Sequence, residues 1–146
     1  MTTFNDSGEF EVNSTTSGDQ RAPTIARLDD GYVVAWQSFN GHTDLHLQRY
    51  TDGGVAVGGE AVINSTTLGE QSQPTITGTA GGGFVVAWAS DQGGSDFGVY
   101  LQRFDSQAQR VGGETLVNAT QPLNQEHPGV AALAGGGFVV TWFSDT

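Results

Sequence analysis

The stretch Gly82-Gly83-Phe84-Val85-Val86-Ala87-Trp88 occurs in two further versions in this chain, one ending at Trp36 and one at Trp142. The three tryptophans lie 52 and 54 residues apart. Two other motifs repeat with a similar period: a proline precedes each copy, and an Asn-x-Thr precedes each proline. The prolines are Pro23, Pro74 and Pro128, and the asparagines are Asn13, Asn64 and Asn118. A period of about 50 residues indicates a supersecondary unit that buries its apolar faces only by stacking on copies of itself.

Each period contains four strand-like runs. In the second period they are residues 74–79, 84–90, 98–104 and 114–118. The run 84–90 is almost continuously apolar, as expected for a strand covered on both faces. The run 98–104 alternates between two faces, which is the period of a strand. The first run begins at a proline, a residue that sheets accept at a strand start or an edge. No segment shows an apolar period of 3.6 residues, so we predict an all-β chain.

Four antiparallel strands in a repeat of about 52 residues are typical of a β-propeller blade. A β-solenoid is the structural alternative, although its coils are usually shorter. We predict full blades over 22–66 and 74–120. A half-blade over 1–15 supplies strands three and four, with Phe4 in the place of Phe104, and a half-blade over 128–146 supplies strands one and two. The chain therefore holds three blades' worth of strands.

Three blades do not close a ring, because propellers typically have four to eight. Two chains could form a six-bladed ring in which each C-terminal half-blade is completed by the N-terminal half-blade of the partner. Such a homodimer would satisfy the strand edges that an open array exposes. Larger closed rings and a piece of a longer array are the alternatives.

The composition limits the partners. The formal charge is -11, from 16 acidic residues against five arginines and no lysine, and such a surface repels phosphate backbones and anionic membranes. The chain has no cysteine, which excludes disulfides and thiolate metal sites. No apolar run approaches the roughly 18 residues of a membrane span, and the first ten residues do not resemble a signal peptide. We expect neither nucleic-acid binding nor membrane insertion, and any export signal must lie outside this stretch.

The motifs GGFVVAW at 82–88, GVYLQRFD at 98–105 and GGETLVNAT at 112–120 resemble a tandem repeat of large bacterial secreted proteins. Those proteins include calcium-binding surface proteins of the RTX type and adhesins. The resemblance covers essentially the whole chain. It implies a non-enzymatic scaffold or binding module, extracellular or at the cell surface, with a glycan or a cell-surface protein as partner. The Gly-Asp nonapeptide with which RTX proteins bind calcium is absent from this sequence.

Several residues recur once per repeat and form the candidate ligand site. They are Trp36, Trp88, Trp142, Arg49, Arg103, Glu60 and Glu114. Sugar-binding propellers, including small fucose lectins, use these residue types, because an aromatic face packs on the sugar ring while charged groups bond its hydroxyls. The corresponding hypothesis is a multivalent lectin with pockets between blades. In the alternative interpretation the tryptophans pack between blades and each arginine pairs with a glutamate of the neighbouring strand.

The loop after the second strand carries a candidate metal site. Asp91, Ser95 and Asp96 offer oxygen ligands around a glycine bend, whereas the equivalent loop of the first repeat keeps Asp44 alone. Calcium, which takes six to eight oxygen ligands, is the candidate cofactor. A turn in which aspartate bonds nearby amides explains the same residues.

Catalysis has little support in the sequence. His42, His46 and His127 lie at unrelated positions of the repeat, and no serine or carboxylate is paired with them by a recognisable spacing. We therefore predict that the chain is not an enzyme. A glycoside hydrolase with acids around the channel is the remaining catalytic alternative. In a propeller the loops between strands two and three share one face with those between strand four and the next blade, and we expect binding there.

Overall fold

The computed structural model describes residues 8–119 and 123–145 and contains ten β-strands in three antiparallel sheets. The strands are β1 Asp19–Leu28, β2 Gly31–Phe39, β3 Thr43–Thr51, β4 Ala56–Val62, β5 Gln71–Gly78, β6 Phe84–Ser90, β7 Gly98–Phe104, β8 Arg110–Leu116, β9 Gln125–Ala132 and β10 Phe138–Ser144. The prediction of an all-β chain is confirmed. Within these residues there is no helix of the length and apolarity that a membrane crossing needs.

The first two sheets are simple meanders, in the orders β1-β2-β3-β4 and β5-β6-β7-β8, and the third holds only β9 and β10. Trp36 of β2 stands opposite His46 of β3, and Trp88 of β6 stands opposite Tyr100 of β7. The same register therefore recurs in both complete sheets. This confirms the predicted four-stranded antiparallel unit.

Each first strand begins before its proline and carries a bulge there. The strand predicted to start at Pro74 begins at Gln71, and its pairing with β6 shifts between Ser72 and Thr75. A proline has no N–H to give to the ladder, so the pairing is interrupted without ending the strand. The residue before each proline has a left-handed φ, 47° at Ala22, 55° at Gln73 and 51° at His127.

The segment before β1 differs from the predicted half-blade over 1–15. Residues 8–13 form no strand, and the expected third strand with Phe4 lies outside the described residues. Ile63, which follows β4, corresponds to Val12 in this segment. Its backbone N–H donates to the Leu45 carbonyl of β3 at 2.7 Å. In the described part of the chain, no third strand lies beside residues 8–13. These residues therefore have no strand with which to form backbone hydrogen bonds.

Consecutive sheets pack through their first strands. β5 packs on β1, β2 and β3, and β9 packs on β5, β6 and β7. The main core lies between the first two sheets, and its buried side chains include Leu45 and Leu47 on one side and Phe84 and Trp88 on the other. At Gly78 the two backbones approach so closely that a Cβ atom would lie 2.3 Å from the carbonyl oxygen of Arg27.

Candidate functional site

Two of the three repeated tryptophans lie inside the sheets. Trp36 is 4% exposed and Trp88 is fully buried. Each indole N–H donates to a glutamine of the first strand, Trp36 to Gln20 Oε1 at 2.9 Å and Trp88 to Gln71 Oε1 at 2.8 Å. Both rings are held by the scaffold. Trp88 offers no face to a ligand, whereas Trp36 lines part of an apolar pocket of about 200 Å³. Trp142 is 38% exposed, because β10 has no third strand beside it in the described residues.

The two candidate arginines differ in environment. Arg49 is 5% exposed, and its Nη2 donates to Asp30 Oδ1 at 2.9 Å. Its Nη1 donates to the backbone carbonyl of Ser106, which lies in the turn between β7 and β8 of the next sheet. Arg103 is exposed, and its guanidinium forms no hydrogen bond or ion pair with the residues that the structure describes. The arginine-glutamate pair expected in the scaffold interpretation is therefore not formed.

The glutamates hold the backbone of the Asn-x-Thr segments instead. Glu60 Oε2 accepts the N–H groups of Ser14 at 2.9 Å and Thr15 at 3.1 Å, and Glu114 Oε2 accepts the N–H of Ser65 at 2.7 Å. Burial desolvates the Glu60 carboxylate, which by itself raises its pKa. The hydrogen bonds from Ser14, Thr15 and His46 outweigh that effect and lower the pKa to about 2. This carboxylate is ionised wherever the protein is folded near neutral pH.

The candidate calcium ligands are engaged with nearby groups. Asp91 Oδ1 accepts the backbone N–H of Glu70 at 2.6 Å, and Asp96 Oδ2 accepts that of Leu123 at 3.3 Å. The Ser95 hydroxyl lies 3.4 Å from Asp96 Oδ1. Over residues 8–119 and 123–145 no three His, Cys, Asp or Glu side chains converge in a way that could hold a metal ion. Calcium binding remains a prediction from the sequence.

A polar pocket of about 220 Å³ lies at the β2–β3 end of the first sheet. It is lined by Thr15, Ser38, Asn40, His42, Asp44, His46 and Val62. Thr15 comes from the segment before β1, whereas Asn40 and His42 come from the loop between β2 and β3. The two kinds of loop that were expected on one face thus line one pocket. Ser38, Asn40 and the imidazoles supply both hydrogen-bond donors and acceptors.

Both pocket histidines are paired with carboxylates. His46 Nδ1 lies 2.6 Å from Glu60 Oε1, and His42 Nε2 lies 2.9 Å from Asp44 Oδ2. Asp44 Oδ1 also accepts the Asn64 side-chain amide at 2.7 Å. The spacing of the histidines in the sequence did not predict these two pairs. The pairing of β3 with β4 explains the contact between His46 and Glu60. His46 stands opposite Val62, and Glu60 lies two residues before Val62, so its side chain is on the same face of the sheet.

The lining of the pocket differs between the two complete repeats. In the second repeat Tyr100 takes the place of His46, and Gln92 takes the place of Asn40. The longer Gln92 side chain donates to Glu114 Oε1 and lies 3.3 Å from the Gln71 amide, so it fills the equivalent space. Thr15 and Ser38 recur as Thr66 and Ser90, so the difference between the two repeats lies at Asn40 and His46.

No protein-family model matches the chain, and no curated protein sequence matches it. Among solved structures, a crystal structure of an α-L-arabinofuranosidase from Lactobacillus brevis is similar, with a TM-score of 0.56 and 8% sequence identity. The similarity covers 96% of this chain and 50% of that one, so the chain spans half the length of this neighbour. At this identity the similarity shows the fold alone. The fold is an all-β arrangement of repeated four-stranded antiparallel sheets, and a polar pocket lies beside the loop between β2 and β3.

Proposed function

We propose that this chain is a non-enzymatic binding module of a bacterial surface or secreted protein, built from β-propeller blades, whose polar pocket binds a small carbohydrate. The observation that carries the proposal is the pocket lined by Asn40 and His46, two residues that the second repeat replaces with Gln92 and Tyr100. The resemblance of the repeat motifs to bacterial secreted proteins supports the extracellular location. The lectin site therefore lies at these residues and not at the repeated tryptophans and arginines.

The packing of the sheets supports the propeller architecture. In a propeller the first strand of each blade lies nearest the axis, so successive first strands are neighbours. β1, β5 and β9 are neighbours in that order, and β5 and β9 contact the preceding sheet in the same way. The close approach of Gly78 to the backbone of β1 is consistent with tight packing near an axis.

The chemistry of the pocket favours a polyhydroxylated ligand. Ser38, Asn40 and His42 present hydrogen-bond donors and acceptors to a cavity of about 220 Å³, which is large enough for a monosaccharide. Asp44 is paired with the His42 imidazole, and Glu60 is paired with the His46 imidazole. The ring nitrogens are therefore oriented before a ligand arrives. Preorganised groups bind with a smaller entropic cost. Because the structural neighbour is an arabinofuranosidase, arabinofuranosides are the first sugars to test.

The same geometry argues against hydrolysis. A glycosidase needs a carboxylic acid whose pKa is raised so that it can protonate the leaving group. The pKa of Glu60 is instead lowered to about 2 by hydrogen bonds that occupy both of its oxygens. Glu60 is therefore a fixed acceptor within the scaffold, and the pocket is suited to binding.

Binding is tested by titration calorimetry and saturation-transfer NMR against a panel of arabinofuranosides, pentoses and hexoses. Asn40→Gln introduces the side chain that fills this space in the second repeat, and His42→Ala removes an exposed donor. We expect each change to weaken binding about tenfold or more. His127→Ala, in an exposed position outside the pocket, is the matched control and should bind as the wild type does. Silence across the panel would refute the carbohydrate ligand, and turnover of a chromogenic arabinofuranoside would refute the non-enzymatic assignment.

A further inference from the structure

The two end sheets expose opposite halves of the contact that is buried between sheets elsewhere. On the third sheet Leu133, Val139 and Phe143 are 53%, 45% and 57% exposed. In the second sheet, Val85 corresponds to Val139 and Ala89 corresponds to Phe143. Both Val85 and Ala89 are fully buried, because β9 packs on the second sheet. We call the surface formed by Leu133, Val139 and Phe143 the leading face.

The first sheet exposes the complementary half. Ile25 of β1 is 63% exposed, whereas its counterpart Ile76 of β5 is 7% exposed because the first sheet covers it. Next to Ile25 lies an apolar pocket of about 200 Å³ whose lining includes Pro23, Val34 and Trp36. We call the surface formed by Ile25, Pro23 and this pocket the trailing face. The exposure of Ile25 follows from the lack of a preceding sheet in the described residues.

The segment before β1 already makes part of the missing contact. Val12 packs on Val34, Trp36 and Tyr50, which is how Ile63 packs on the second sheet. Ser14 is bound by Glu60 as Ser65 is bound by Glu114. The segment therefore lies where the fourth strand of a preceding sheet would end. Its Gly8-Glu9 corresponds in sequence to Gly59-Glu60 and Gly113-Glu114.

We propose that a second copy of this chain docks head to tail on the first, with its trailing face on the leading face. In this contact Ile25 of the second copy packs against Leu133, Val139 and Phe143. Glu9 of the second copy then reaches the backbone at Ala119, the residue that follows Asn118 as Ser65 follows Asn64. This contact does not depend on what the polar pocket binds.

The occupant is a second copy because the chain carries both halves of one repeated contact. The contact between sheets one and two, which buries Ile76, is the template for it. A surface whose complement lies at the opposite end of the same molecule associates head to tail. Two copies with three repeats each fall within the four to eight blades that close a propeller ring. The contact would also remove the apolar leading face from water.

The first test is the mass in solution, measured by light scattering from micromolar to near-millimolar concentration. With a chain mass of 15.3 kDa, a species of twice that mass supports the proposal. A species of 15.3 kDa over the whole range would overturn it. Phe143→Asp on the leading face and Ile25→Asp on the trailing face each place a charge in the contact, and each should raise the dissociation constant at least about tenfold. Val111→Asp, an exposed valine of β8 outside both faces, is the matched control and should keep the wild-type mass.

Mixing the variants separates head-to-tail docking from other dimers. The Phe143→Asp chain keeps an intact trailing face, and the Ile25→Asp chain keeps an intact leading face. Their mixture should therefore form mixed dimers through one intact contact, although neither variant associates alone. Circular dichroism of each variant shows whether it has folded. Folded variants that fail to associate in the mixture would overturn head-to-tail docking, as would a trailing-face variant that keeps the wild-type mass.

Discussion

The hydrogen bond between Trp88 and Gln71 gives a direct measure of whether the repeated tryptophans serve the scaffold. Both side chains are fully buried, and the indole Nε1 donates to Gln71 Oε1 at 2.8 Å. Gln71→Met keeps the length of the side chain and removes the acceptor. The buried indole N–H then has no partner, which costs about 1–3 kcal/mol of the free energy of unfolding.

A double-mutant cycle isolates that interaction. Trp88→Phe removes the donor and leaves a cavity, so it destabilises the fold by itself, by roughly 2 kcal/mol or more. Once the donor is gone, Gln71→Met should cost less than it does in the wild type. The coupling energy between the two changes should be about 1–3 kcal/mol. Gln20→Met is the matched control. Gln20 is only half-buried, so water can replace it at Trp36, and its cost should stay below about 1 kcal/mol.

The measurement is urea unfolding at one fixed protein concentration, followed by tryptophan fluorescence and by circular dichroism. The slope of the free energy against urea should be the same in all variants if only stability changes. Additive costs for Gln71→Met and Trp88→Phe would refute the claim that this bond stabilises the fold. Equal costs for Gln71→Met and Gln20→Met would refute the argument from burial.

Two further predictions concern the packing of the sheets and the glutamate clamp, by which we mean the hydrogen bonds from the Ser14 and Thr15 backbone to Glu60. The pKa of Glu60 is about 2 in the folded protein and 4.5 in the unfolded reference, so its stabilisation is present above pH 4.5 and is lost as the pH falls towards 2. Glu60→Gln should therefore lower stability at neutral pH by up to about 3 kcal/mol and flatten the acid limb of a stability-pH profile; an unchanged acid limb would contradict this. Gly78→Ala places a methyl group 2.3 Å from a carbonyl oxygen of the neighbouring sheet and should cost about 1–3 kcal/mol in thermal or urea unfolding. Gly59→Ala, whose added Cβ meets nothing within 4 Å, is the control and should change stability little.

The sequence predicts the repeating elements of this fold well, because they follow from local chemistry. The apolar run ending at Trp88 requires a strand covered on both faces, and β6 is buried along its whole length. The strand starts were less well predicted. A proline was taken to open the first strand, but a bulge with a left-handed residue before the proline lets the strand continue through it. Residues 8–13 match the fourth strand in sequence and form none, since a strand also needs a neighbour.

The site was harder to predict, because recurrence in a repeat has two causes. Trp88, Arg49 and Glu60 recur with the chemistry of sugar-binding groups, yet each is held by the scaffold. Trp88 is bound by a glutamine, Arg49 binds the next sheet, and Glu60 clamps a backbone segment. These partners lie 17, 57 and 46 residues away in the sequence. Their identity depends on the packing of sheets, which the motif alone does not contain.

The two complete repeats therefore serve as controls for each other, and their differences indicate function more directly than their similarities. Glu60 and Glu114 perform the same clamp, but the space beside them differs. Gln92 fills it in the second repeat, whereas the shorter Asn40 leaves it open in the first. A scaffold gains nothing from this opening, because a filled site adds packing and hydrogen bonds. Because Glu60 holds the backbone of Thr15, which also lines the pocket, we expect a ligand in the pocket and the docked segment before β1 to stabilise each other. A ligand that binds there should therefore raise the stability of wild-type protein and have less effect on Glu60→Gln, which a thermal shift with and without sugar would measure.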